Sequence, residues 1–390
     1  MRLCAPLALL AVLAASSSSA QTARITARLV AKPADLSAGI AWTARVRLAQ
    51  NGHELSGAKA VLTARNVSRA RRFALRETRM RGTHAARVRF PTAGRWALAV
   101  RVRRTVVRLG SITVGPRRPD VRRPFDVAVA PNGWLAVADR DADRVLLVDP
   151  RTGAARVAAS GLDDPIAVAY DRAGALYANS GEQILRLDDG GGRTVIAGTG
   201  TRGHSGDGGP AAAARLGGVG AFAFAATGEL YVPEYDNWVR LVRANGIIET
   251  IAGTGTEGSA GDGGPARLAA IAAPHALAVG ADGSVMLADS HNGRIRRITP
   301  AGVMTTLADG FAAPVSIGSA PDGSFVVGDA GTNLLERVLP DGNRIVLASG
   351  LRIPSGIAVD SNGNVFFSEF DASRVRRLDP RTRRITTVAR

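Results

Sequence analysis

Six side chains in this 390-residue chain each follow a turn glycine by six residues: Asp139, Ser180, Glu234, Asp289, Asp329 and Glu369. Five of them are carboxylates, and a ring of carboxylates has the chemistry to hold Ca²⁺ or another divalent cation through hard oxygen ligands. Three have a plainer use. Asp139, Asp289 and Glu369 precede Arg144, Arg294 and Arg374 by five residues, a spacing that can bridge a strand-to-strand turn with a charge-assisted hydrogen bond. That pairing recurs along the chain, which favours a structural role. Glu234 and Asp329 lack the matching arginine, so repetition does not account for them. His275 is also anomalous, because Phe125, Ile166, Gly220, Val315 and Ser355 occupy its position elsewhere. With Glu234 and Asp329 it could bind a metal or act as a general base. The competing reading, favoured for a lone histidine, is that it fills space or bonds backbone. His291, in "DSHNGRIRRI", reads as a turn residue.

A second chemical signal is "IAGTGTRGHSGDGGPAAAARL", Ile196–Leu216, which contains a formal G-x-G-x-x-G. A dinucleotide fingerprint needs its third glycine to open a helix inside a βαβ unit. Here Gly203 leads into "HSGDGG", which cannot start a helix, and no G-K-[ST] is present. No nucleotide is expected. A second copy, Ile251–Ile271, lies 55 residues on. Both copies read as glycine-rich excursions, with Pro210 and Pro265 opening a short helical turn. Asp207 and Asp262 could bind a cation, although an Asp between glycines more often caps its own turn.

The elements that must position these residues are repeats. The turn glycines Gly133, Gly174, Gly228, Gly283, Gly323 and Gly363 are spaced by 41, 54, 55, 40 and 40 residues. Each cassette reads as four short strands, and the two long steps contain the glycine-rich excursions. One such sheet cannot bury both faces, but six stacked radially can, so the pattern predicts a six-bladed β-propeller. "PHALAVGADGSVMLADSHNGRIRRI" and the cassette beginning at Pro354 resemble the NHL-repeat family of propellers over 124–390. Whole cassettes fit this span, so the ring is expected to close by packing of the last blade on the first. A strand donated from Gly110–Gly115 is the alternative. Both excursions and the ends of the second strands should share one face, where a small ligand could sit at the channel mouth.

Residues 21–116 carry 20 basic and 3 acidic side chains, against 25 and 29 in 124–390. Alternating runs such as "AWTARVRLAQ" and "RWALAVRVRR" predict about seven strands in a β-sandwich, with Trp42 and Trp96 as anchors. "FPTAGRWALAV" loosely resembles bacterial immunoglobulin-like modules. Alternating arginines, as in Arg24/Arg28, Arg45/Arg47 and Arg87/Arg89, would make a positive face for an anionic envelope polymer, a lipid headgroup or an acidic protein. A solvated arginine surface, or docking on the propeller, is the bland alternative. Nucleic acid is disfavoured because aromatics are not interleaved with the basic residues. Residues 1–20 read as a signal peptide, with an uncleaved anchor as the rival, so a secreted, periplasmic or cell-envelope location is expected. Cys4 is the single cysteine, so no disulfide or thiolate chemistry is expected of the exported part.

The expectation is an all-β protein: signal peptide 1–20, basic sandwich 21–116, linker 117–123 and propeller 124–390. Its leading function is a binding or interaction scaffold. The alternative is a metal-dependent enzyme resembling gluconolactonase-like hydrolases or lyases, although the opening segment of those hydrolases is absent.

Overall fold

The computed structural model describes residues 25–30, 41–51, 53–67, 69–91, 94–114 and 119–390. The proposed signal segment, Arg24 and the first two linker residues, Arg117 and Arg118, lie outside them. The chain divides into two compact units between Arg118 and Pro119.

The described residues of the first unit form eight strands: β1 (Ile25–Leu29), β2 (Ala41–Gln50), β3 (His53–Glu54), β4 (Ala60–Arg65), β5 (Ala70–Glu77), β6 (Thr83–Arg89), β7 (Gly94–Val102) and β8 (Thr105–Val114). Strict alternation builds them: in β2, Ala44, Val46 and Leu48 are buried while Arg45 and Arg47 face solvent. The strands pair in the order β1-β2-β6-β5-β4-β7-β8, with β3 on β2. This is one hydrogen-bonded path. It folds over between β5 and β6, which pair only through Arg76–Ala85 and Glu77–His84. Both halves cover one core that includes Trp96, Phe90, Leu62 and Val100. Trp96 is fully buried and its ring lies 5.1 Å from that of Phe90, while Trp42 packs half-buried at the margin. The outer face of β1, β2 and β6 carries Arg28, Arg45, Arg47, Arg87 and Arg89, all exposed. Arg28 stands directly opposite Arg47, a like-charge pairing that destabilises a sheet.

The second unit is a six-bladed β-propeller of four-stranded antiparallel sheets. The innermost strands are Pro124–Val129, Val168–Tyr170, Ala223–Phe224, Pro274–Val279, Pro314–Ser319 and Pro354–Val359. Second strands such as Leu135–Asp139, Val285–Asp289 and Phe325–Asp329 are buried along their whole length. They are covered on both faces, so their sequences are continuous apolar runs ending in an acid.

The ring closes by packing. Val127, Leu135 and Val137 of blade 1 share a core cluster with Phe366, Val375 and Val388 of blade 6. Ser355 and Ser368 of blade 6 both donate to the Phe125 carbonyl oxygen at 2.8 Å, and Arg390 N–H donates to the Pro119 carbonyl. Gly110–Val114 belongs to β8 and pairs with β7, so the donated-strand alternative does not hold.

The two glycine-rich excursions run along the outermost strands of blades 3 and 4. Gly208 and Gly209 exchange backbone hydrogen bonds with Ile248, and Gly263 and Gly264 do so with Met304. Each excursion then makes a single 3-10 turn, Ala211–Ala213 or Ala266–Leu268, just after the proline. No βαβ unit is formed.

Candidate functional site

The ring of side chains that ends the second strands is a repeated clamp. Each accepts the backbone N–H of the residue 17 positions upstream, where the chain enters its blade. The donors are Arg122 to Asp139, Asp163 to Ser180, Gly217 to Glu234, Ala272 to Asp289, Ala312 to Asp329 and Arg352 to Glu369. The arginine pairs add to it. Arg144 Nε lies 2.7 Å from Asp139 Oδ2, Arg374 Nε 2.7 Å from Glu369 Oε2 and Arg294 Nε 3.5 Å from Asp289 Oδ2.

Glu234 and Asp329 were singled out because no arginine follows at the usual spacing, and both prove to belong to the same clamp. The turn after Glu234 is one residue shorter than that after Asp289: Glu234 pairs with Trp238, whereas Asp289 pairs with Arg294. The next basic position, Arg240, therefore does the work. Its Nη1 donates to Glu234 Oε1 at 3.2 Å and its Nη2 to Asp207 Oδ1 at 2.5 Å. Arg296 ties Asp262 at 2.6 Å in the next blade. Both guanidinium groups are fully buried. Asp207 and Asp262 thus anchor their excursions to a buried arginine instead of capping their own turns. Asp207 also accepts Thr250 N–H at 3.0 Å, and Asp262 accepts Thr306 N–H at 3.1 Å.

Asp329 accepts the N–H groups of Ala312, Ala313, Gly331 and Thr332 at 2.9–3.3 Å. Burial pushes its carboxyl up, but the backbone donors outweigh this and leave it below its ordinary value. His204, which the sequence reading passed over, stacks on Trp238 with ring centroids 4.0 Å apart and lies 3.5 Å from Glu234 Oε2.

His275 sits on the innermost strand of blade 4. Its Nδ1 is 2.9 Å from the Ala273 carbonyl, so that nitrogen carries a proton, and its ring packs 4.9 Å from that of Tyr235. Burial pushes its pKa down, opposed by the Ala273 bond and reinforced by His291. Glu234, Asp329 and His275 do not assemble. Among the described residues no group of three or more His, Cys, Asp or Glu side chains could hold a metal ion.

The unexpected titratable group is Asp126, on the innermost strand of blade 1. Ala167, Ala221, Ala276, Ser316 and Gly356 occupy its place in the other blades. Its carboxylate accepts its neighbour Val127 N–H at 2.8 Å and, in blade 2, Val168 N–H at 3.0 Å. It has no cationic partner among the described residues, and burial pushes its pKa from 3.8 up to about 7, against those two bonds. A carboxyl raised on folding favours the native state most below its unfolded value and loses that contribution as pH rises through its folded value. Stability should therefore fall between about pH 4 and pH 7 relative to Asp126→Ala. Urea midpoints of both proteins across that window measure it, and parallel curves would contradict the burial argument.

Two cavities open on the opposite face, that of the turns between first and second strands. One, of about 640 Å³, lies between blades 4 and 5 and reaches the innermost-strand ends of blades 3 and 6, where those strands ring the channel. Phe224, Val279, Met286, Leu307 and Phe325 line it, with Arg297 and Asp282 paired at 2.6 Å. The other, of about 630 Å³, lies between blades 1 and 2. The clamps lie on the excursion face, and these two cavities lie across the ring from them.

No family model and no curated protein matches the chain. Solved structures do. A Bacteroides thetaiotaomicron protein of unknown function is 15% identical, with a TM-score of 0.51 over 93% of this chain and 99% of its own. An auxiliary nutrient binding protein from Bacteroides thetaiotaomicron is 10% identical, with a TM-score of 0.51 over 91% and 96%. A putative gluconolactonase is 14% identical, with a TM-score of 0.52 over 70% and 92%. At these identities the likeness is one of fold, and the fold that these structures share with this chain is the β-propeller.

Proposed function

We propose that this protein is an exported binding protein of the cell envelope or extracellular space, with an NHL-like propeller that takes a small apolar or amphipathic ligand and a basic immunoglobulin-like module that engages an anionic polymer. The observation that carries the reading is the channel-mouth cavity. Four blades contribute to it, its volume suits a small molecule, and its apolar lining with a few polar groups is typical of ligand sites. One fold neighbour is an auxiliary nutrient binding protein, which is in keeping with it. The metal-dependent hydrolase alternative needs free oxygen ligands from Glu234 and Asp329, and those oxygens accept Gly217, Arg240 and backbone donors instead.

The test is titration with N-phenyl-1-naphthylamine, an apolar fluorescent probe. Its emission should rise with the wild type and stay flat with Ser319→Trp, which fills the cavity from an exposed strand end. No rise in the wild type, or the same rise in the variant, would remove this reading.

The basic module makes a separate claim. None of Arg28, Arg45, Arg47, Arg87 and Arg89 has an ion-pair partner among the described residues. Retention on heparin is expected at low salt and should vanish as NaCl rises from about 0.1 M to about 1 M, where the screening length falls from about 10 Å to about 3 Å. The triple variant R28Q/R45Q/R47Q should elute earlier. Salt-independent retention would sink the electrostatic role.

A further inference from the structure

The cavity between blades 1 and 2 departs from the repeat in its aromatic residues. At the position after the turn glycine the other blades carry Ala175, Glu229, Ser284, Ser324 and Asn364, but blade 1 carries Trp134. Ser284, Ser324 and Asn364 use their side chains to close their own turns, on Asp282, Asp322 and Asp360. In blade 1 Asn132 Oδ1 accepts the Trp134 N–H at 3.0 Å, so the turn is closed without the indole. Across the cleft stands Tyr170, where other blades have Val129, Phe224, Val279, Ser319 and Val359. Both rings are half-buried. Each packs one part against the core around Leu147 and Leu176 and leaves another at the cavity wall. Neither the indole N–H nor the phenol O–H makes a hydrogen bond among the described residues. Burial pushes the Tyr170 hydroxyl up to about 12, so it remains a donor.

The charges of the wall cancel. Its four charged side chains form two pairs, Arg156–Asp189 at 3.0 Å and Arg186–Asp188 at 3.6 Å. Such a wall repels neither sign and favours neither. It offers flat apolar faces, two unused donors on the rings, and planar guanidinium and carboxylate groups that can bond vicinal hydroxyls in pairs. We infer that this cleft binds a neutral saccharide, one C–H face of a sugar ring lying against Trp134 or Tyr170 and its hydroxyls meeting the Arg–Asp rim. The volume of about 630 Å³ falls within the roughly 300–1,000 Å³ of small-ligand sites. This assignment does not depend on the channel-mouth cavity or on the basic face.

The test uses the full chain and four neutral probes: cellohexaose, maltohexaose, xylohexaose and hexa-N-acetylchitohexaose. Saturation-transfer NMR and tryptophan fluorescence read binding. At least one probe should saturate. Trp134→Ala should weaken it roughly tenfold or more, as for an aromatic anchor, and Tyr170→Phe should weaken it less, because the ring remains. Ser319→Trp, in the other cavity, should leave it unchanged. Unaltered melting of Tyr170→Phe and of Trp134→Phe guards against a folding defect, and Trp134→Phe should retain more affinity than Trp134→Ala. Failure of all four probes to saturate, or full affinity in Trp134→Ala, overturns the inference.

Discussion

Arg240→Ala is expected to destabilise the propeller by about 3–5 kcal/mol, the range for removing one partner of a buried ion pair. Arg240 and Glu234 are both fully buried, and the arginine also holds Asp207 and the Arg215 and Ser205 carbonyls. Its loss leaves Glu234 with the Gly217 N–H and His204, and frees the excursion from the blade. Urea denaturation followed by tryptophan emission reads the effect, since Trp238 stacks on His204, which lies 3.5 Å from Glu234. The double variant E234Q/R240M should recover part of the loss, because a neutral pair leaves no uncompensated charge. A shift in Arg240→Ala below about 1 kcal/mol would mean that the pair behaves as a solvated surface bridge, and the clamp would lose its energetic basis.

Gly356→Val should open the closure seam. Gly356 lies on the innermost strand of blade 6, and an added Cβ would stand 2.6 Å from the Phe125 carbonyl oxygen and 2.7 Å from Asp126 Oδ1. The obstacle on one side is backbone, which cannot rotate away. The cost of such overpacking is about 1–3 kcal/mol, occasionally more. It should appear locally: amide exchange over Pro124–Val129 and Ile385–Ala389 should quicken before that of blades 3 and 4. Gly363→Ala provides the contrast, because its Cβ would meet only the Pro380 ring at 3.6 Å, although its positive φ adds strain of its own. Equal exchange in all blades of Gly356→Val would show that the seam is no weaker than the other blade contacts.

The propeller was legible because its signal is local and repeated. The turn glycines fall at every first hairpin, and the apolar runs before and after them are the first two strands of each blade. The excursions were legible as insertions, since the two long steps contain them. What they do was not. Asp207 and Arg240 are 33 residues apart, and nothing in either neighbourhood announces the pair. The misreading of Glu234 has a definite cause: "EYDNW" is one residue shorter than "DSHNGR" and puts Trp238 where Arg294 stands, so the ion pair falls to Arg240, two residues further on, at the position of Arg296. Asp329 was misread because its partners are backbone N–H groups, which every sequence possesses and none displays. Asp126 and Trp134 could have been found by the same comparison of equivalent positions that flagged His275, had it been extended to the third residue of the first strand and to the residue after the turn glycine.

The excursions that pair with blades 3 and 4 have a consequence for the rim of the wheel. A bare outer strand offers its N–H and C=O groups as a template on which a second molecule can add a strand. Those of blades 3 and 4 are already partly taken. The bulky apolar side chains left in solvent on outer strands, Val157, Val195, Ile345 and Val346, belong to blades 1, 2 and 5. Arg156, Arg193 and Arg344 lie within two residues of them in the same strands, and charges so placed oppose strand addition at the three edges that no excursion covers.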